Sequence, residues 1–427
     1  MRLFIHLSFL AGSNMFVAFL IQWYVLITIG PGMETDALFA GMALPQMVLA
    51  IISSSLMHIL VPLFAGEGEK QFAEDAWGFF ILIGLFFSSL IFILYLFAFA
   101  WVPLLFPGFS VEGKILTIHL TRIQLLGMIF TALSGVLWAI YHARQQFIWA
   151  ESTPLIGTTI GLGVLFWTLP KYGIVAAAWV SVIRSIVQTL LLLPGLGSYC
   201  KPNFSSVTFK EAWRRIKPLL IGTSYYKTDI LVDRFLSSMT EAGGLSLLNI
   251  GQQIYSAFNF ILNKSIAAPL VPALAVSAKN KQWKSFRNIY RKKLILVICI
   301  TAIVYLLFLL IGRTFLKLII GHGGVTEQNI EILWLLIICL VGTLIGGAMG
   351  QILSSAFYAK GNTITPTRIG IIGFTVGIVL KITSFLIYGL VGIAIGTTIY
   401  YLLNAFVLLI FLERELHNHL YKRYEIY

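Results

Sequence analysis

Apolar runs long enough to cross a bilayer recur along the whole chain, separated by short polar stretches. A membrane-spanning helix needs about 20 predominantly apolar residues. Such runs fall near 3–29, 36–64, 77–105, 119–142, 153–169, 173–195, 212–239, 245–276, 294–316, 329–358, 366–388 and 390–412. The pattern predicts an all-α polytopic membrane protein with about twelve transmembrane helices. The longer runs require tilt, or ends that project beyond the hydrocarbon. The first run follows directly on Met1-Arg2-Leu3, is too long for a signal-peptide core and lacks an Ala-x-Ala-like end. It is therefore expected to be retained as a span.

The pattern repeats. Gly41 and Pro62 in the second run are echoed by Gly251 and Pro272, where Leu-Val-Pro-Ala-Leu-Ala (270–275) closes a stretch of matching length. Lys171-Tyr172-Gly173-Ile-Val-Ala returns as Ile387-Tyr388-Gly389-Leu-Val-Gly, and Ala143-Arg144 before Pro154 returns as Ala359-Lys360 before Pro366. The order of these echoes predicts two six-helix lobes. The expected organisation is a first lobe over 1–196, a basic cytoplasmic linker over 197–217, a second lobe over 218–412 and a cytoplasmic tail over 413–427. An even number of helices per lobe makes the repeats parallel.

Charge sets the orientation. With the N-terminus inside, the inward loops hold roughly 20 Lys or Arg, and the outward loops hold Lys114, Lys171, Arg313 and Lys317. That bias predicts N-in and C-in. Composition agrees: 58% of residues are hydrophobic and 11% charged, against about 25% charged in soluble domains. The net charge of +13 sits in short loops, as topology signals and anionic-lipid contacts do, which argues against a nucleic-acid partner. Cys200, Cys299 and Cys339 show no metal or disulfide spacing, and no metal site is expected. No phosphate-binding Lys loop, His-Glu-x-x-His or nucleophile elbow is present. With outward loops too short to host chemistry, the reading is a transporter, not an enzyme.

Ionisable residues within spans are costly and mark functional candidates. Arg184 lies in span six, Lys264 in span eight and Lys381 in span eleven; Arg184 and Lys381 are read as holding related places. Span seven carries Lys227, Asp229, Asp233 and Arg234. Counted as one helix, it offers a cationic face (Lys227, Arg234) and an acidic one (Asp229, Asp233). Span eight has a polar stripe of Asn249, Gln252, Gln253, Ser256, Asn259 and Asn263, read either as interhelical glue or as a hydrated face. Span two has a thinner one in Gln46, Ser54 and His58. Asp36, after Gly30-Pro31-Gly32, is read as a cap of span two or as a carboxylate at the outer gate.

Gly30-Pro-Gly-Met-Glu-Thr-Asp36-Ala-Leu-Phe-Ala, then Leu44-Pro45 and Val61-Pro62, resembles the opening of the MurJ/MviN lipid II flippases of the multidrug/oligosaccharidyl-lipid/polysaccharide (MOP) exporter superfamily, which includes the MATE transporters. Asp229-Ile-Leu-Val-Asp233-Arg, Gly243-Gly-Leu-Ser246-Leu-Leu and Ala268-Pro-Leu-Val-Pro272 resemble the same family. The resemblance implies a flippase of the bacterial cytoplasmic (inner) membrane that carries a polyprenyl-pyrophosphate-linked saccharide by alternating access. It implies that Asp36 is retained as an important carboxylate. At the positions where the family places arginines for the pyrophosphate, this chain has Met15, Ile21, Leu49 and Gln253, and the family's extra pair of C-terminal helices is not found. A cationic headgroup site is expected instead from Lys227, Arg234, Lys264, Arg184 and Lys381, with Gln252, Gln253 and Asn259 bonding sugar hydroxyls. No cofactor is expected; coupling to Na⁺ or H⁺ would run through Asp229 or Asp233. Expected partners are the lipid-linked saccharide, membrane lipids and cell-envelope synthesis proteins. Two alternatives stand beside lipid II: O-antigen or exopolysaccharide units on the same carrier, and a MATE-type drug/cation antiporter.

Overall fold

Every regular element among the described residues of the computed structural model is helical; those residues are 2–65, 68–204 and 206–421. The first six apolar runs become α1 (Arg2–Ile29), α2 (Met33–Phe64), α3 (Glu69–Leu96) with the short α4 (Ala98–Leu105), α5 (Val111–Ala143), α6 (Phe147–Tyr172) and α7 (Ile174–Leu192). The seventh is broken into α8 (Val207–Lys227) and α9 (Asp229–Ser237). The eighth is α10 (Gly244–Leu262), a π-helical turn (Asn263–Ala267) and α11 (Ala268–Lys279). Then come α12 (Trp283–Ile320), α13 (Glu327–Cys339) with α14 (Val341–Ala359), and α15 (Ile364–Tyr421), whose two arms meet at Gly389. Among the described residues nine helical stretches are long and apolar enough to cross a membrane; Ile364–Asn418 covers the last two predicted runs, and the broken seventh and eighth runs are not among the nine.

The chain forms two compact units, Met1–Ser246 and Leu247–Tyr427. In the first, α2, α3, α5 and α7 bury Leu60, Phe87, Val136 and Leu192, and Ala212 of α8 joins the same core. Phe209 of α8 stacks on Phe79 of α3 at 4.1 Å. Leu231 of α9 packs against Phe39, Ala98 and Val102. The compact first unit thus extends through Ser246, whereas the sequence division starts the second lobe at 218. In the second unit, α11, α12, α14 and α15 bury Leu274, Tyr290, Phe357 and Leu412.

The duplication is visible in the backbone. Gly173 (φ 57, ψ −148) and Gly389 (φ 56, ψ −133) adopt the same left-handed geometry at the same place in each unit. Gln145 (φ 59) and Gly361 (φ 77) end α5 and α14 alike. In both, the next residue's N–H reaches five residues back, Gln146 to the Tyr141 carbonyl (2.9 Å) and Asn362 to that of Phe357 (3.0 Å). This is a Schellman cap, and it satisfies carbonyls that hydrocarbon would otherwise strand. Gly41 is pinned for another reason: a Cβ there would lie 2.7 Å from Thr121 Oγ1 and 2.8 Å from Gln124 Oε1, whereas its echo Gly251 meets nothing nearer than 3.4 Å.

Beyond the apolar part of α15, Glu413 ties that helix to α12. It pairs with Arg287 at 2.6 Å and Arg291 at 2.7 Å, and accepts the Tyr290 hydroxyl. Burial pushes its carboxyl up, but the hydrogen bonds from Arg291, Tyr290 and Arg287 together outweigh it and hold it below its ordinary value.

Two predictions follow from this geometry. Gly389→Ala costs about 1–3 kcal/mol of backbone strain, because the space around it is open; a lowered apparent melting temperature in detergent measures it. Glu413→Gln costs about 1 kcal/mol at neutral pH, discounted for partial exposure. A depressed carboxylate stabilises above its unfolded value, and that contribution is lost as pH falls through the folded one. The melting curves of wild type and Glu413→Gln should therefore converge below about pH 4.

Candidate functional site

The entry to α2 is built around two adjacent side chains with different tasks. Gly30 takes a positive φ of 89°. The Thr35 hydroxyl then accepts the Gly32 N–H at 2.9 Å and donates to the Gly30 carbonyl at 3.1 Å. Thr35, not Asp36, therefore caps α2. The Asp36 carboxylate instead turns to the start of α10, 207–210 positions along the chain. It accepts the Gly243 N–H and the Ser246 N–H, each at 2.7 Å, together with the Ser246 hydroxyl. The Ser246 hydroxyl also lies 2.9 Å from that of Thr35. The first N–H groups of a helix have no partner within it and carry its positive dipole end, so a carboxylate there satisfies both demands. Gly243 has φ 95°, and a Cβ on it would lie 2.9 Å from the Pro31 backbone. No larger residue fits between Pro31 and the carboxylate.

Asp233 and Arg234 complete this cluster. Both are buried in α9, and the Arg234 guanidinium lies in the field of Asp233 and Asp36. The two-faced helix expected for span seven does not form as counted. Thr228 separates α8 from α9, so the 100° count does not carry from Lys227 to Arg234. Lys227 ends α8 exposed, and Asp229 is half-buried as the first residue of α9.

The other candidates are dispersed. Arg184 is half-buried in α7, in a cavity of about 260 Å³ inside the first unit. Its relation to Lys381 is not the one expected. The repeat register (173 to 389) pairs Arg184 with Tyr400, and fully buried Lys381 with fully buried Leu165. In α10, Asn259 donates to the Thr343 carbonyl at 2.8 Å and Tyr255 to that of Ile337 at 2.6 Å, so part of this helix does act as interhelical glue. Gln252 and Gln253 are half-buried, and Ser256 and Asn263 exposed. The side chains of Ser54, His58 and Lys264, and residues Lys422 and Arg423, lie outside the described part of the structure. The sequence reading missed Gly243 and Ser246 as partners of Asp36. It also missed Gln124 and Gln188, whose only signal was an isolated amide in an apolar run.

Nine helical stretches among the described residues that are long and apolar enough to cross a membrane, with buried charge gathered in α9 and at the start of α10, define a polytopic membrane transporter fold. Solved structures share it. A structure described as lipid II flippase MurJ in an inward closed conformation matches with TM-score 0.84 and 20% identity, covering 97% of this chain and 88% of that one. An inward-facing multidrug resistance MATE family transporter of the MOP superfamily matches with TM-score 0.74 and 15% identity, covering 97% and 94%. Curated relatives include probable lipid II flippases MurJ from Rhizobium tropici (23% identical, 95% of this chain and 79% of that protein) and from Buchnera aphidicola (24%, 91% and 78%). The family model for lipid II flippase MurJ matches residues 26–427, and the chain belongs to that family.

Asp36→Ala strands two buried N–H donors at a cost of about 1–3 kcal/mol each. Amide hydrogen exchange at Gly243 and Ser246 should accelerate at least tenfold. Unchanged protection at both amides would remove the carboxylate as the element holding the first turn of α10.

Proposed function

We propose that this protein translocates lipid II, a polyprenyl-pyrophosphate-linked saccharide, across the bacterial cytoplasmic membrane by alternating access. The observation that carries the reading is the family match over residues 26–427. The geometry supports it. Interrupted helices with polar groups at the breaks are how transporters build a site within the bilayer. The Asp36 contact is one that a conformational cycle can make and break, because water can replace the carboxylate at the Gly243 and Ser246 amides when they separate. The protein acts as a transporter rather than a catalyst. Basic loops meet anionic lipid headgroups, and cell-envelope synthesis proteins are its expected neighbours. Coupling to Na⁺ or H⁺ is assigned to Asp229 or Asp233, since both stand at the interrupted α9.

A second substrate reading, another saccharide on the same carrier, is favoured by one observation. Met15, Ile21, Leu49 and Gln253 stand where the resemblance places arginines. The MATE likeness is one of fold and lends the antiporter reading no further support.

Expression in a strain depleted of its own lipid II flippase should restore growth and outward exposure of lipid II, and Asp36→Ala should abolish both. Failure of the expressed wild-type protein to rescue, together with loss of an exopolysaccharide on deletion in its own host, would select the second reading.

A further inference from the structure

Among the described residues no carboxylate lies near Arg184. The cavity it lines is formed by α1, α2, α5, α6 and α7, and no described Asp or Glu contributes to its wall. The remaining polar wall includes four amides, Asn14, Gln46, Gln124 and Gln188. The hydroxyls of the wall are already used: Thr131 bonds Ser185 at 2.9 Å, Thr158 bonds Asn14 at 2.8 Å and Ser181 bonds the Ala178 carbonyl at 2.6 Å. Asn14 apart, the amides and the cation are not used up in this way. Gln124 is 5% exposed and spends its N–H on the Leu38 carbonyl, while its Oε1 has no hydrogen-bond partner. The Nε of Arg184 has none either. A guanidinium surrounded by apolar helices without a counter-charge is expensive unless an anion or water completes it.

Packing does not explain the charge. The stem of Arg184 lies in a groove made by two glycines of α6. A Cβ on Gly161 would sit 2.5 Å from Arg184 Cγ, and one on Gly157 would sit 3.0 Å from the Arg184 carbonyl oxygen. The second unit has the same groove 216 positions later. Gly377 faces the Tyr400 ring at 2.8 Å and Gly373 faces Asn404 Oδ1 at 2.8 Å. There the frame is filled by an uncharged aromatic ring. The scaffold thus accepts a neutral side chain at this crossing, and the groove fixes the stem of Arg184 against snorkelling away. A planar fork of donors flanked by amides suits a phosphoryl group, which it grips bidentately.

We propose that Arg184, with Gln46, Gln124 and Gln188, forms a phosphoryl-binding subsite inside the first unit, which takes the pyrophosphate of the lipid-linked substrate. The proposal rests on the flippase reading. The test uses the full-length protein in detergent, with undecaprenyl pyrophosphate as probe and uncharged undecaprenol as control. Wild type should bind the pyrophosphate lipid at least tenfold more tightly than undecaprenol. Arg184→Gln and Arg184→Tyr should lose that preference, and Arg184→Lys should keep part of it. Arg184→Tyr installs the residue the second unit already tolerates, so its melting temperature should match wild type. Competition by inorganic pyrophosphate would show that the phosphoryl group alone suffices. Arg184-dependent binding without such competition would assign the subsite to the lipid-borne form. Wild-type preference retained in both Arg184→Gln and Arg184→Tyr would overturn the subsite and leave the flippase reading standing. A wild type that does not distinguish the two lipids would remove both.

Discussion

Hydrocarbon offers no hydrogen bonds, so each helix must satisfy its own backbone and each interruption needs a local remedy. The remedies here are specific. Gly173 and Gly389 turn the chain through a geometry that side chains avoid. Schellman caps at Gln145 and Gly361 close α5 and α14. Thr35 closes the entry to α2 from within its own turn. The start of α10 is the exception, because its donors are met by a carboxylate from α2. A remedy borrowed from another helix is conditional on where that helix stands. The others are permanent.

This difference separates scaffold from moving parts. Apart from the Thr35 closure, the permanent ones recur in both halves of the chain with the same residue spacing and similar backbone angles. The buried charges do not recur. Arg184 faces a glycine groove that Tyr400 fills in the second unit, and Lys381 stands where the first unit has Leu165. Duplication supplied a frame indifferent to charge. The ionisable groups differ from one unit to the other, each at an energetic cost that the frame itself does not require.

The fold was legible because hydrophobic period and length are local properties: each of the twelve runs falls on helix, and ten of them lie in the nine described stretches long and apolar enough to cross a membrane. The repeat was legible for a similar reason: Tyr-Gly at 172–173 and 388–389 marks a backbone angle, and an angle constrains sequence. The site was read less well because it depends on contacts remote in sequence. The sequence marks Asp36 as a cap of span two or a carboxylate at the outer gate, but its partner helix begins more than two hundred residues away. The faces assigned to span seven assumed one continuous helix, and a single interruption at Thr228 undid that count. Arg184 and Lys381 were matched by their depth in the chain, whereas the glycine grooves give the register.

The π-helical turn at Asn263–Ala267 carries a consequence of its own. Such a turn holds one residue more than an α-helical turn. Everything beyond it is rotated by about 100° from the face that α10 would have continued. The amide-bearing side of α10 therefore ends there, and α11 through Lys279 presents a different set of residues to its neighbours. In genetic terms the two segments are joined by a frame of their own. Loss of one codon within 263–267 would let the turn close as α-helix with α11 still facing its present neighbours, whereas an α-helical turn of unchanged length would turn every side chain of α11 by about 100° toward the wrong surroundings.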